Sequence, residues 1–177
     1  MYIYLKFYIL ILSFIYLTSC ATGRYTGYSN NIIETFYTGD AGTQYFIKPI
    51  NIKGEIGNYL NFDLTFRVKN EIKDSATFNF SIFTNQSITE VDSLHWASSE
   101  NHFSTNQINL MFVERSKKLF KCRFTCKIPL TTIRNFFRKA DFKITAFSKN
   151  SQFPFILNSA SKKKISYVNY NVFNVFK

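Results

Sequence analysis

Signatures of catalysis are what this sequence lacks first. It contains no G-x-S-x-G, no G-x-G-x-x-G, no P-loop and no H-E-x-x-H. Their absence removes the nucleophile elbow, the dinucleotide and nucleotide cradles and the zincin helix from consideration. Histidine is scarce, with two residues, and acids number eleven. Few general-base or metal-ligand sets can be built from that stock, and no carboxylate pair for glycoside hydrolysis can be located in it. No internal repeat, coiled-coil heptad or second domain is apparent. An apolar run of about 20 residues, the length of a spanning helix, is missing too. The longest run, Phe7 to Leu17, is broken only by Ser13.

Positive charge and aromatic rings are abundant instead. The 177 residues carry a formal charge of +11, and Phe (21) and Tyr (11) dominate the 19% aromatic share. Hydrophobic residues at 46% suffice for one packed core. The charge favours anionic partners such as phospholipid head groups or acidic glycans. It also suits plain solubility, and the ring content suits an AT-rich coding sequence.

Period two runs through most of the chain. Leu60, Phe62, Leu64, Phe66 and Val68 alternate with Asn61, Asp63, Thr65, Arg67 and Lys69, which predicts a strand with one buried face. Tyr45–Ile52, Phe78–Ile82, Ile108–Phe112, Phe120–Ile128, Phe142–Phe147 and Phe153–Leu157 read as further strands. Turns are expected at Gly54–Asn58, Asn70–Ser75, Glu114–Lys118 and Lys162–Lys164. Val91–Trp96 reads as a short strand, SSENHFSTNQ as a loop, and Ile165–Phe176 as a long strand or a bent pair. Pro129–Ala140 alone has helical spacing, with Pro129 at its start and Arg138 and Lys139 in its last turn. These elements predict a mainly β, antiparallel two-sheet sandwich with one short helix near 130–140. A closed barrel is the variant.

Three cysteines divide by pattern. Cys122 and Cys126 fall on one face of an alternating strand, so their Cα atoms would lie about 13 Å apart. A disulfide requires about 7 Å or less. Both read as small core hydrophobes. Cys20 stands apart. It follows Lys6, the apolar run and Leu17-Thr18-Ser19. The run has the length of a signal-peptide core, about 7–15 residues. Leu17-Thr18-Ser19-Cys20 resembles the lipobox of bacterial lipoproteins. That resemblance implies cleavage before Cys20, acylation of its thiol and its new amine, and anchoring to a membrane. It divides the chain into a signal peptide (1–19), a lipidated tether (20–43) and one domain (44–177). It places the protein in the bacterial cell envelope and argues against a nucleic-acid role. Ala21 and Thr22 follow the cysteine, with no Asp of the kind associated with inner-membrane retention in enterobacteria, so the expected placement is the outer membrane, facing the periplasm.

For function the sequence offers less. Trp96, His95 and Phe103 lie in an irregular polar stretch. They are candidates for stacking on a ligand, although the stronger reading of Trp96 is a plug in the core from a strand. His95 and His102 flank Glu100, a set that matches no metal signature. Ser98 or Ser99 with one of these histidines is the only local hydrolase arrangement. Ser75 and Ser93 stand in Asp-Ser-aliphatic tripeptides like the O-glycosylation motif of Bacteroidetes. No cofactor is implied. The reading is a lipid-anchored, non-enzymatic binding or scaffolding module with an envelope protein, anionic lipid or glycan as partner. A glycan-binding adhesin is the alternative and a hydrolase the third.

Overall fold

The computed structural model describes residues 32–69, 75–149 and 151–175. The predicted signal segment 1–19, Cys20 and residues 70–74 of the predicted turn lie outside the described residues. Ten strands follow in chain order: β1 (Ile33–Tyr37), β2 (Thr43–Gly54), β3 (Tyr59–Val68), β4 (Ser75–Thr84), β5 (Ser93–Ala97), β6 (His102–Thr105), β7 (Ile108–Ser116), β8 (Leu119–Pro129), β9 (Lys143–Ser148) and β10 (Ser151–Ile156). Helix α1 (Leu130–Lys139) separates β8 from β9. Helix α2 (Ser159–Val168), extended by a π turn over Asn169–Phe173, follows β10.

Every pairing is antiparallel. The strands form one continuous sheet in the order β6-β5-β9-β10-β2-β3-β4-β8-β7, with β1 also paired to β2. The sheet is nearly closed into a barrel. Its terminal strands, β6 and β7, are joined by Asn106 and Gln107, yet no ladder between them is present among the described residues. This single sheet stands in place of the two expected, and two features account for it. One extra residue at Ile47/Ile50, beside Pro49, and another at Leu110/Phe112 bulge β2 and β7, and bulges bend and coil a sheet. Helices then take the position a second sheet would occupy. Leu130, Ile133, Phe136 and Phe137 of α1 and Ile165, Val168, Val172 and Phe173 of the final segment are buried.

Alternation explains the inner face. Leu60, Phe62 and Leu64 of β3, Phe78, Phe80 and Ile82 of β4, and Cys122 and Ile128 of β8 are fully buried. Phe62 lies 5.3 Å from Phe78 and 6.5 Å from Phe137, and Phe66 stacks on Phe173 at 5.7 Å. The helices therefore meet the sheet ring against ring. On the outer face, Arg123 donates to Asp63 at 2.7 Å and to Ser81 at 3.2 Å, and Asn79 donates to the other Asp63 oxygen at 2.9 Å. Three strands are thereby tied across their polar side.

Several boundaries differ from the pattern reading. Within the tether stretch, Ile32, Ile33, Phe36 and Tyr37 read as a first strand or a short helix, and Ile33–Tyr37 is the strand β1, paired along Thr43–Ile47. His102–Thr105, read as loop, is the strand β6, held by four pairs to β5. Lys162–Lys164 is a turn of α2 rather than a loop, and residues 165–173, read as part of a strand, are helical. The helix starts there because the Asn158 side chain accepts from the Ser161 backbone N–H at 2.9 Å, an N-cap. From that cap, Ile165, Val168, Val172 and Phe173 recur at helical spacing. α1 is as expected, and it ends on Ala140 in the left-handed region (φ 47°).

Candidate functional site

The register of β10 creates a cleft. Its last pairs with β2 are Phe155↔Gly54 and Ile156↔Lys53. Ser151–Pro154 therefore run on past the end of β2, paired on one side only, to β9. Pro154 fits that position, since its missing N–H faces no ladder that it could weaken. Between this overhang, the β2–β3 turn and the end of β4 lies a recess of about 310 Å³. That is the lower end of the range of small-ligand sites, roughly 300–1,000 Å³.

The floor of the cleft is core. Phe155 is fully buried and Thr84 nearly so. Gly54 lies against the Phe155 ring so closely that a Cβ there would sit 2.9 Å from two ring carbons. The walls are polar. Asn58 closes the turn, its backbone N–H donating to Glu55 at 3.0 Å and its carbonyl accepting from Gly54 at 2.9 Å. Asn85, Gln86 and Gln152 are exposed around the opening, with Phe153 half-buried beside them. Among the described residues, the side-chain amides of Asn58, Gln86 and Gln152 have no hydrogen-bond partner. Asn85 accepts only a long 3.4 Å bond from Thr84. Ile56 on the rim is 96% exposed and holds φ 53°, a conformation costly for a β-branched residue and typical of functional turns. No lysine or arginine lines this cleft, and Glu55 is its one charged group.

A second recess, about 390 Å³, lies between the β5–β6 turn and α1 and is lined by Glu100, Asn101, Asn135, Arg138 and Lys139. Lys139 and Glu100 are in direct hydrogen-bonded contact. That bond and the Lys139 charge, with a smaller contribution from Arg138, hold the Glu100 carboxyl below the usual glutamate range.

The residues singled out in the sequence are not gathered at either place. Trp96 is 1% exposed on β5, facing inward between Phe62, Phe78, Phe136 and Phe142. Its indole is therefore a core plug and offers no face to a ligand. Its Nε1–H is buried without an acceptor among the described residues. Phe103 sits opposite Trp96 in the ladder and packs on the same core. His95 points outward and lies 4.6 Å from the Phe147 ring. His102 is exposed on β6. The Ser98 hydroxyl accepts from the Asn101 N–H at 3.0 Å, which closes the β5–β6 turn. No group of three potential metal ligands occurs among the described residues.

Ser75 is exposed at the head of β4, while its Asp74 lies outside the described residues. Ser93 is half-buried in the β5–β9 ladder. The preceding Asp92 accepts from the Lys149 N–H at 2.6 Å. Cys122 and Cys126 are free and buried. Burial pushes the Cys126 thiol up to about 12. It raises Cys122 as well, offset in part by the Ile88 N–H that donates to its sulfur. At both positions burial disfavours the thiolate, the form that reacts.

Among the described residues no helix is long and apolar enough to cross a membrane. The cleft residues escaped the pattern reading because they are turn and strand-end residues with ordinary polar composition. The one local signal was Pro154 inside a strand-like run, which marks a position without a partner on one side. Compared with protein-family models, with curated proteins and with solved structures, the chain has no significant match.

Proposed function

We propose that this chain is a lipid-anchored protein of the bacterial envelope, held through Cys20, that acts as a non-enzymatic binding module. The observation that carries the reading is Leu17-Thr18-Ser19-Cys20 at the end of the apolar run Phe7–Leu17. Two or more acyl chains hold a protein on a membrane, whereas one gives only marginal attachment. The binding role is supported by the cleft beyond Gly54, whose buried floor is rigid and whose side-chain amides are unsatisfied. Outer membrane, facing the periplasm, is the placement that follows from Ala21 and Thr22 after the cysteine.

Metabolic labelling with a palmitate analogue tests the anchor. The wild-type chain is expected to incorporate label and to fractionate with the outer membrane. Cys20→Ala is expected to lose both. A labelled Cys20→Ala protein, or a wild-type protein free of lipid, would overturn the reading. Co-isolation of an envelope partner from detergent-solubilised membranes is the matching test of a scaffolding role.

A further inference from the structure

We propose that the cleft between the β10 overhang, the β2–β3 turn and the end of β4 is a binding site for a neutral oligosaccharide. The proposal rests on the reading of the chain as an envelope binding module and names the ligand class of its site. Charge comes first. The sequence holds 22 Lys and Arg against 11 acids, so a surface recess drawn at random from this chain would be basic. This one contains no cation and a single carboxylate, Glu55. A phosphate or other anionic ligand would meet repulsion here and no countercharge.

The polar groups that are present have the right chemistry. An amide side chain offers donors and an acceptor together, which matches neighbouring hydroxyls on a sugar ring. Asn58, Asn85, Gln86 and Gln152 supply four such groups around one recess. They are not spent on the protein: three have no hydrogen bond among the described residues, and the fourth has only the 3.4 Å contact from Thr84. Apolar surface completes the set. Phe153 stands half-buried at the wall, where a ring can cover the C–H face of a sugar. The floor is held by Phe155, 0% exposed, so the site is formed in advance and little ordering cost attends binding.

Direct binding to the intact mature lipoprotein in detergent micelles tests this. The neutral probes are cellotetraose, maltotetraose and triacetylchitotriose. Sialyllactose and inorganic phosphate serve as anionic controls, with calorimetry as the readout. At least one neutral probe is expected to bind, with no response to phosphate. Gln152→Ala combined with Asn85→Ala is expected to weaken binding tenfold or more at an unchanged melting temperature, and Phe153→Ala by a similar factor. Lys139→Met, in the other recess, is expected to leave it unchanged. Three results would overturn the proposal: no neutral probe binding, equal binding by the amide variants, or a response confined to the anions. If any of these occurs while Cys20 still takes the acyl label and the protein still co-isolates with an envelope partner, the ligand class fails and the anchored-module reading stands. Loss of the label has the opposite meaning.

Discussion

Two recesses of similar size differ in what holds them open. The cleft past Gly54 is built on core: Phe155 and Thr84 form its floor, and the Gly54 backbone presses on the Phe155 ring. The recess beside α1 is built from long exposed side chains, with Lys139 and Glu100 more than half exposed. One shape is set by packing, which deforms in steps. The other is set by an exposed ion pair, which contributes little to stability and reorganises freely. The difference makes the cleft, and not the more charged recess, the preorganised shape, which is why the proposed ligand is assigned to it.

The strongest way to break this contrast is Phe155→Ala. Removing a fully buried ring is expected to lower stability by about 3–5 kcal/mol. Chemical denaturation should show that loss together with collapse of the cleft. A loss under about 1 kcal/mol would mean the floor is not core. Gly54→Ala comes next. Its Cβ meets the Phe155 ring at 2.9 Å and the Asn58 carbonyl oxygen at 3.1 Å, so overpacking of about 1–3 kcal/mol is expected. The double variant with Phe155→Leu should recover part of it. Gln152→Ala, at an exposed wall position, is expected to move stability by no more than about 0.5 kcal/mol. A larger effect would show that the amide supports the fold and is not held for a ligand.

The smallest effect belongs to the ion pair. Lys139→Met is expected to leave the melting temperature unchanged and to raise the Glu100 midpoint toward the ordinary glutamate value, followed by carbon-detected NMR titration. The sign follows from the lowered carboxyl. Whatever the pair contributes is present above the ordinary glutamate pKa and is lost as pH falls through the lowered one. A midpoint unmoved by the substitution would remove Lys139 as its cause.

How far the sequence anticipates these regions depends on whether the relevant pattern is local. Leu60–Val68 and Phe120–Ile128 declare strands because period two is written into consecutive residues, and α1 declares itself by spacing and Pro129. The α2 segment reads as a strand or a bent pair because Ile165–Phe176 is rich in β-forming residues. Its helix depends on the Asn158 cap and on Phe173 finding Phe66 and Phe137. Phe103 shows the same limit from the other side. Its polar neighbourhood suggests a loop, but the pairing of His102–Thr105 to β5 makes it a strand residue packed on the core.

By itself, the sequence determined a mainly β, antiparallel chain, the inward faces of its long strands, the separation of Cys122 from Cys126, and the N-terminal pattern on which the anchor reading rests. Each is a property of neighbours within a few residues. Tertiary structure alone decided that the strands join into one nearly closed sheet, that helices replace a second sheet, and that Arg123 meets Asp63 from sixty positions away. It also decided the cleft, whose walls come from the β2–β3 turn, the end of β4 and β10. No local pattern encodes that meeting, because it arises from where the β10–β2 register ends.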